Sequence, residues 1–250
     1  MRIYLTGSVC VESDRATIRE ADFPGRQGRL LFAYLVCADG QPLAREAIVD
    51  LLWPETPPTA PEGGIAALVS KLRVLLARAG LPRGASIESG LGMYQLRLPP
   101  DTWVDLSYAA RLVEEAEGAL RRSDLDAACN SAFLSRAITR RPFLPEDHAP
   151  WVLRRRDDQR ADLARALEIL CDVWLARGDT GQATPAARDL VELEPFRETS
   201  YQRLMRAHAT AGNRAEALRV YARCRRLLAD ELGVDPSPPT EAVYLEILRA

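Results

Sequence analysis

The sequence predicts a mainly α-helical protein in which a mixed α+β region, residues 1–98, precedes an all-α helical repeat region, residues 103–250. Three observations lead to this prediction. Short apolar alternations stand at both ends of the first region, and amphipathic helices lie between them. The second region reads as one helix after another and contains a repeat of 34 residues. A chain of 250 residues is long enough for two domains of ordinary size.

The first region is predicted to begin and end with β-structure. The stretch RIYLTGSVCVE predicts a strand because its apolar residues fall on one face at a period of two, namely Ile3, Leu5, Val9 and Val11. The stretch RATIRE is a candidate partner strand. At the other end, SIESGLGMYQLRLPP alternates around a Gly-x-Gly, which predicts a β-hairpin.

Three helices are predicted between these strands. The stretch RQGRLLFAYLVCADG has apolar residues at helical spacing and ends at Gly40, and LAREAIVDLLWP ends at Pro54. A proline-rich loop then leads into PEGGIAALVSKLRVLLARAG, which Gly80 and Pro82 close. The predicted order is therefore strands, three helices and a hairpin.

The third helix has two distinct faces. At helical spacing its core face holds Ile65, Leu68, Val69, Leu72, Leu75, Leu76 and Ala79. The opposite face holds Ala66, Ala67, Ser70, Val74 and Ala77. Lys71 and Arg78 flank one edge and Arg73 flanks the other. A helix that reads bases usually carries Arg, Asn or Gln on its outer face, so this helix is also consistent with an ordinary packed helix.

The repeat in the second region is marked by matching turns. The stretches LARGDTGQA and ATAGNRAEA place Gly178 and Gly212 34 residues apart, which is the tetratricopeptide period. A looser turn, LRRSDLDAA at 120–128, lies 55 residues before Gly178, so about 21 residues are inserted between these two units. The stretch RRPFLPEDHAPW fills part of the insertion. Small residues around each turn allow antiparallel helices to approach closely and stack.

Composition and motifs exclude several classes of protein. The net charge of −2 provides no global positive field toward nucleic acid. No motif for a nucleophile, nucleotide or metal is present, so we expect no enzyme activity, no cofactor and no metal site. No apolar run approaches the length of a membrane span. The cysteines lack metal-site spacing and predict free thiols in a reducing cytoplasm: Cys10, Cys37, Cys129, Cys171 and Cys224.

Nearly the whole chain resembles the SARP family of actinobacterial transcriptional activators. The stretches PGRQGRLLFAYL, AREAIVDLLWPETPP and AALVSKLRVLL with the glycine-rich hairpin are similar to that family's winged-helix domain. The tail AGNRAEALRVYARCRRLLADELGVDPSPPTEAVYLEIL is similar to its bacterial transcriptional activator domain. The resemblance implies a winged-helix DNA-binding domain at 1–98 and a bacterial transcriptional activator domain at 103–250. The implied partners are double-stranded DNA, RNA polymerase at the loop from Pro54 to Pro61, and a second copy of the chain.

The resemblance implies that the third helix enters a DNA major groove while the hairpin contacts the neighbouring backbone. On this reading Lys71 and Arg73 contact phosphate or base edges beside Ser70, and Arg78 and Arg97 are secondary backbone contacts. Arg26 and Arg29, at the start of the first helix, are further candidates for phosphate contacts. Because few polar groups occupy the outer face, we expect sequence specificity to depend on DNA shape, tandem sites or partners.

Two alternatives come from other functional classes. The outer face of the third helix carries few polar groups, and the net charge is near zero. Both properties are also typical of a degenerate winged helix that binds another regulator instead of DNA. The concave surface that helical repeats create would also allow an effector molecule to bind there and regulate the winged helix.

Overall fold

The computed structural model describes residues 1–82 and 86–249. It divides into two compact units. The first, here called the N-terminal unit, comprises Met1–Tyr108 and Arg141–Gln159. The second, called the repeat unit, comprises Ala109–Arg140 and Arg160–Ala250. Each unit has its own hydrophobic core.

The N-terminal unit contains the predicted strands, helices and hairpin. Its elements up to residue 104 are β1 (Arg2–Tyr4), β2 (Cys10–Glu12), β3 (Thr17–Ile18), a 3-10 turn (Glu20–Asp22), α1 (Gly25–Cys37), β4 (Leu43–Ala44), α2 (Arg45–Leu52), α3 (Pro61–Arg78), β5 (Ile87–Gly90), β6 (Met93–Leu96) and β7 (Trp103–Val104).

The predicted first strand is two strands. β1 and β2 form an antiparallel hairpin in which Ile3 pairs with Val11, and Gly7 occupies the connection at a φ of 74°. The four residues predicted to share a face are all buried, so the predicted face is confirmed while the single strand is wrong. β3 pairs with β2, which confirms RATIRE as a partner.

Two short strands were not predicted. β7 pairs in parallel with β1, so the sheet order is β3-β2-β1-β7, although no strand was expected after residue 101. β4 pairs with β6 and extends the β5–β6 hairpin to a three-stranded sheet. Each of the two strands has only two residues, which is too short for any alternation to appear.

The segment 141–159 completes the core of the N-terminal unit. Phe143 has no exposed surface and packs in the same cluster as the strands and the first three helices. Gln159 Oε1 accepts a hydrogen bond from the Phe143 N–H at 2.8 Å, and Arg156 Nε donates to the Phe143 carbonyl at 2.7 Å. The segment falls where the sequence predicts an insertion in the repeat. The inserted residues thus belong to the other unit's core.

Helices α4 to α10 are α4 (Asp105–Arg121), α5 (Leu125–Thr139), α6 (Pro150–Ala176), α7 (Thr180–Leu193), α8 (Glu198–Thr210), α9 (Arg214–Leu232) and α10 (Pro238–Arg249). The core of the repeat unit contains many buried alanines, as the sequence predicts: Ala116, Ala119, Ala128, Ala132, Ala164, Ala183, Ala186, Ala187 and Ala207. None of the helices in the described part of the chain is long and apolar enough to cross a membrane.

The three predicted repeat turns share one geometry. Each contains a residue at positive φ: Ser123 at 60°, Gly178 at 71° and Gly212 at 76°. The N–H of the next residue donates to the carbonyl five positions earlier, which closes the preceding helix: Asp124 to Ala119 at 3.0 Å, Asp179 to Trp174 at 2.9 Å and Asn213 to His208 at 2.8 Å. The looser turn at 120–128 is therefore a member of the same series.

Candidate nucleic-acid interface

The start of α3 is fixed against the end of α2. Pro61 occupies the first turn of α3. A proline is tolerated there because the N–H groups of the first turn have no hydrogen-bond partner within the helix. A Cβ atom on Gly64 would lie 3.2 Å from Trp53 Cη2, so the absence of a side chain allows the indole to lie against the helix. Arg45 Nη1 lies 3.7 Å from Glu62 Oε1.

The two faces of α3 are arranged as the helical spacing predicts. All seven core-face residues are buried except Leu68, which is half-buried. On the other face, Ala66, Ala67, Ser70 and Val74 are exposed, and Ala77 is half-buried. This face therefore offers small side chains that allow close approach, with one hydroxyl at its centre.

Arg73 joins α3 to the β5–β6 hairpin. Its Nε donates to the Ile87 carbonyl at 2.9 Å, and its Nη2 donates to Ser89 Oγ at 3.0 Å. Hydrogen bonds from a charged donor are roughly twice as strong as those between neutral groups. The guanidinium therefore holds the hairpin at a defined position beside the helix.

Arg78 and Arg97, in contrast to Arg73, each lie beside an acidic side chain. Arg78 Nη1 lies 3.2 Å from Asp22 Oδ1, which joins the end of α3 to the 3-10 turn. Hydrogen bonds from the Arg19 N–H and from Arg78 lower the pKa of Asp22. Arg97 Nη2 lies 3.2 Å from Glu88 Oε2 on the adjacent strand. Both arginines remain about half exposed.

Arg26 and Arg29 are paired with the inserted segment or with the 3-10 turn. Arg26 Nε and Nη2 donate to the two carboxylate oxygens of Asp147 at 2.8 and 2.9 Å. Burial raises the pKa of Asp147, but hydrogen bonds from Arg26 and from the Ala149 N–H outweigh this effect and leave the pKa lowered. Arg29 Nε lies 3.3 Å from Glu20 Oε1.

Ser70 and Lys71 differ from the other five predicted contact residues. Both side chains are exposed, and neither makes a hydrogen bond or an ion pair with a residue that the structure describes. They lie next to each other on α3. Within the described part of the N-terminal unit, the structure thus brings one unengaged lysine to the flank of the exposed face of small residues.

The hairpin tip holds a residue that the sequence analysis did not single out. Leu91 is fully exposed and adopts a φ of 51°, followed by Gly92 at 76°. A two-residue turn with both φ values positive favours Asn-Gly, so leucine is an unusual occupant. The Gly-x-Gly pattern signalled the turn but not the exposure of its central side chain.

A model of the bacterial transcriptional activator domain matches residues 104–248. The chain is 32% identical over 234 residues to the regulatory protein AfsR of Streptomyces coelicolor, covering 90% of this chain and 22% of AfsR. It is 30% identical over 230 residues to the transcriptional regulatory protein EmbR of Mycobacterium tuberculosis, covering 88% and 57% of the two chains. The transcriptional regulator RedD of S. coelicolor is 30% identical over 227 residues, covering 88% and 63%. The chain therefore spans less than two thirds of each of these relatives.

The fold is also similar to that of a solved structure, M. tuberculosis EmbR in complex with a low affinity phosphopeptide. The TM-score is 0.86 at 24% identity, and the match covers 99% of this chain and 65% of the other. At that identity the match establishes the fold alone.

Proposed function

Because the chain belongs to the SARP family of transcriptional activators through its bacterial transcriptional activator domain, we propose that it is a DNA-binding regulator of transcription. In this proposal the N-terminal unit is a winged helix, α3 enters the major groove and the β5–β6 hairpin is the wing. The names of the relatives indicate regulation of transcription; DNA binding and activation by this chain are our proposal.

The exposed face of α3 is the observation that carries the proposal. Ala66, Ala67 and Ser70 have side chains short enough for the helix backbone to come close to base edges, and the methyl groups can contact thymine. Lys71 stands at the flank of this face, where a phosphate would lie.

The engaged arginines give the site a second property. Arg73 fixes the hairpin, and Arg78 fixes the end of α3, so the elements that would straddle a groove are held by internal hydrogen bonds before DNA arrives. A preorganised surface loses less conformational entropy on binding. Since few groups on α3 can select bases, we propose that specificity rests on DNA shape or on tandem sites.

Fluorescence anisotropy with the chain's own upstream DNA, measured over a range of salt concentrations, tests this proposal. We expect affinity to fall steeply with salt because phosphate contacts release counterions. Lys71→Ala should weaken binding and reduce the salt slope by about 1. Ala67→Glu should abolish binding without unfolding the helix, because glutamate is a good helix former but would repel phosphate.

Matched controls lie in the repeat unit. Arg226→Ala removes another exposed cation, and Ala215→Glu adds the same charge to an exposed helical alanine. Both should leave DNA affinity unchanged. Wild-type protein that shows no binding to upstream DNA even at low salt would contradict the proposal.

The engagement of five predicted contact arginines favours a second candidate, a winged helix that binds another regulator. Arg26, Arg29, Arg78 and Arg97 are already in ion pairs within the N-terminal unit, and Arg73 is hydrogen-bonded to the hairpin, so fewer guanidinium groups are free to contact DNA. If the N-terminal unit binds another regulator, Ala67→Glu will disrupt co-purification with a protein partner and DNA titrations will be flat.

The loop at 54–60 is exposed throughout. In the DNA-binding proposal this loop is our candidate contact for RNA polymerase.

A further inference from the structure

We propose that the repeat unit carries a binding site for a small amphipathic carboxylic acid, in a cavity between α8, α10 and the turn that joins α8 to α9. The cavity has a volume of about 500 Å³. Small-molecule sites in proteins generally have volumes of about 300–1,000 Å³. The site is independent of the proposed DNA-binding function, because all its residues lie in the repeat unit.

The inner wall of the cavity is apolar. Val243 and Ile247 stand one helical turn apart on α10 and are almost completely buried. Leu175 and Ala209 line the same space and are half-buried. The short side chain of Ala209 leaves room that a larger residue would fill. An apolar ligand body of modest size would therefore remove these surfaces from water.

Two arginines stand at the same cavity. Arg206 on α8 is exposed and makes no hydrogen bond or ion pair with any residue in the ranges 1–82 and 86–249. Arg214, at the start of α9, donates from Nη2 to the Leu248 carbonyl at the end of α10. A guanidinium carries five N–H donors, so this bond leaves others of Arg214 for a ligand. The planar guanidinium matches a carboxylate group with two parallel hydrogen bonds.

Glu246 restricts the class of acid. It also lines the cavity, yet it forms no ion pair with either arginine or with another described residue. A second carboxylate on the ligand would meet this negative charge, which disfavours diacids. A ligand hydroxyl or N–H could instead donate to Glu246. The chemistry therefore points to a monocarboxylic acid with an apolar body.

A second groove in the repeat unit lacks this combination. It lies among α5, α6 and α7, and two of its three arginines are already paired: Arg136 with Asp189 at 2.9 Å and Arg160 with Glu194 at 3.7 Å. An incoming anion there would meet two carboxylates in the lining, those of Asp189 and Glu192. The α8–α10 cavity has one carboxylate, that of Glu246, beside Arg206 and Arg214.

The test uses three compounds with the same body and different head groups: 4-phenylbutyrate, 4-phenylbutanol and 4-phenylbutylamine. Each is titrated into the ¹⁵N-labelled full chain, up to about 20 mM because ligands of this size bind weakly. We expect the acid alone to shift amide signals saturably, with the shifts centred on residues 206–214 and 243–247. Arg206→Gln should weaken the binding of the acid by about tenfold or more, the loss expected for a charge-assisted pair.

Two variants make the result specific. Ala209→Leu fills the cavity with a good helix former and should abolish binding while the remaining spectrum stays folded. Arg226→Gln removes an exposed arginine outside the cavity and should not change the affinity. Equal binding of the three compounds, unchanged affinity in Arg206→Gln and Ala209→Leu, or no saturable shift from the acid would each overturn the proposal.

Discussion

The two units build their cores in different ways. The N-terminal unit packs large side chains such as Phe32, Phe143 and Ile48 around two small sheets. Its parts come from distant positions in the chain, since residues 141–159 complete a core that begins at Ile3. The repeat unit brings helices together through alanines and closes three turns with the same hydrogen bond. One core thus depends on long-range assembly, and the other depends on a local pattern that recurs.

The largest effect is expected from Phe143→Ala. This side chain is fully buried although it lies 47 residues after Leu96, the end of the hairpin. Its loss should lower the free energy of unfolding of the N-terminal unit by about 3–5 kcal/mol. Urea denaturation followed by tryptophan fluorescence measures this, because the Trp151 and Phe143 rings meet edge to face with their centroids 5.4 Å apart. Phe133→Ala is the control, since that ring is 53% exposed. Equal effects of the two changes would show that the inserted segment does not support the core.

Overpacking should harm the repeat unit next most strongly. Ala187 has no exposed surface and lies where two helices approach, so Ala187→Leu should cost about 1–3 kcal/mol of stability. Ala222→Leu adds the same atoms at an exposed position on α9 and should be nearly neutral. Circular dichroism during urea denaturation measures both. A neutral Ala187→Leu would mean that close helix approach is not what the small residues provide.

Asp147 gives the N-terminal unit a dependence on pH. Its folded pKa is lowered, so its contribution to stability is present above the unfolded value of about 3.9 and is lost as the pH falls through the folded value. Asp147→Asn should cost about 1–2 kcal/mol at pH 7 and should flatten the decline of stability below about pH 5. Urea midpoints from pH 3 to pH 7 for both proteins provide the measurement. Parallel pH curves would contradict this assignment.

The smallest effect concerns the turn at Ser123. It occupies the position that Gly178 and Gly212 hold in the other repeats, with a φ of 60°. Non-glycine residues are strained there, so Ser123→Gly should stabilise the repeat unit by about 0.5 kcal/mol after the entropy of glycine is subtracted. Gly212→Ala is the opposite change and should destabilise. Thermal unfolding of both variants would reveal whether the signs differ.

Much of this architecture could be predicted from the sequence because the signals are local. The buried stripe of α3 from Ile65 to Ala79 and the turns at Gly178 and Gly212 follow from spacing alone. The insertion before Gly178 is visible in the sequence as a break in the repeat period. Its place in the N-terminal core is not, because that depends on contacts between residues far apart in the chain, such as Arg26 and Asp147, which are 121 positions apart.

The candidate site was less predictable because the partners of its arginines are distant in the sequence. Helical spacing placed Arg73 and Arg78 at the edges of α3, but their acceptors, Ile87 and Asp22, lie elsewhere in the chain. The partner of Arg26, Asp147, is 121 residues away. A single helix pattern therefore cannot distinguish a cation that is free for a phosphate from one already engaged. The structure shows that Lys71 is exposed and makes no hydrogen bond or ion pair with a residue that it describes.

The position of residues 141–159 has a consequence for modular exchange. The family model for residues 104–248 covers this segment as part of the activator domain, whereas in the structure it completes the N-terminal core. A chimaera joined near residue 100 would receive an N-terminal half without Phe143 and would carry a foreign segment in its place. Exchange of the N-terminal unit between such regulators therefore requires that two separate segments be grafted together. An unfolded chimaera made at a single junction would not show that two parent proteins are incompatible.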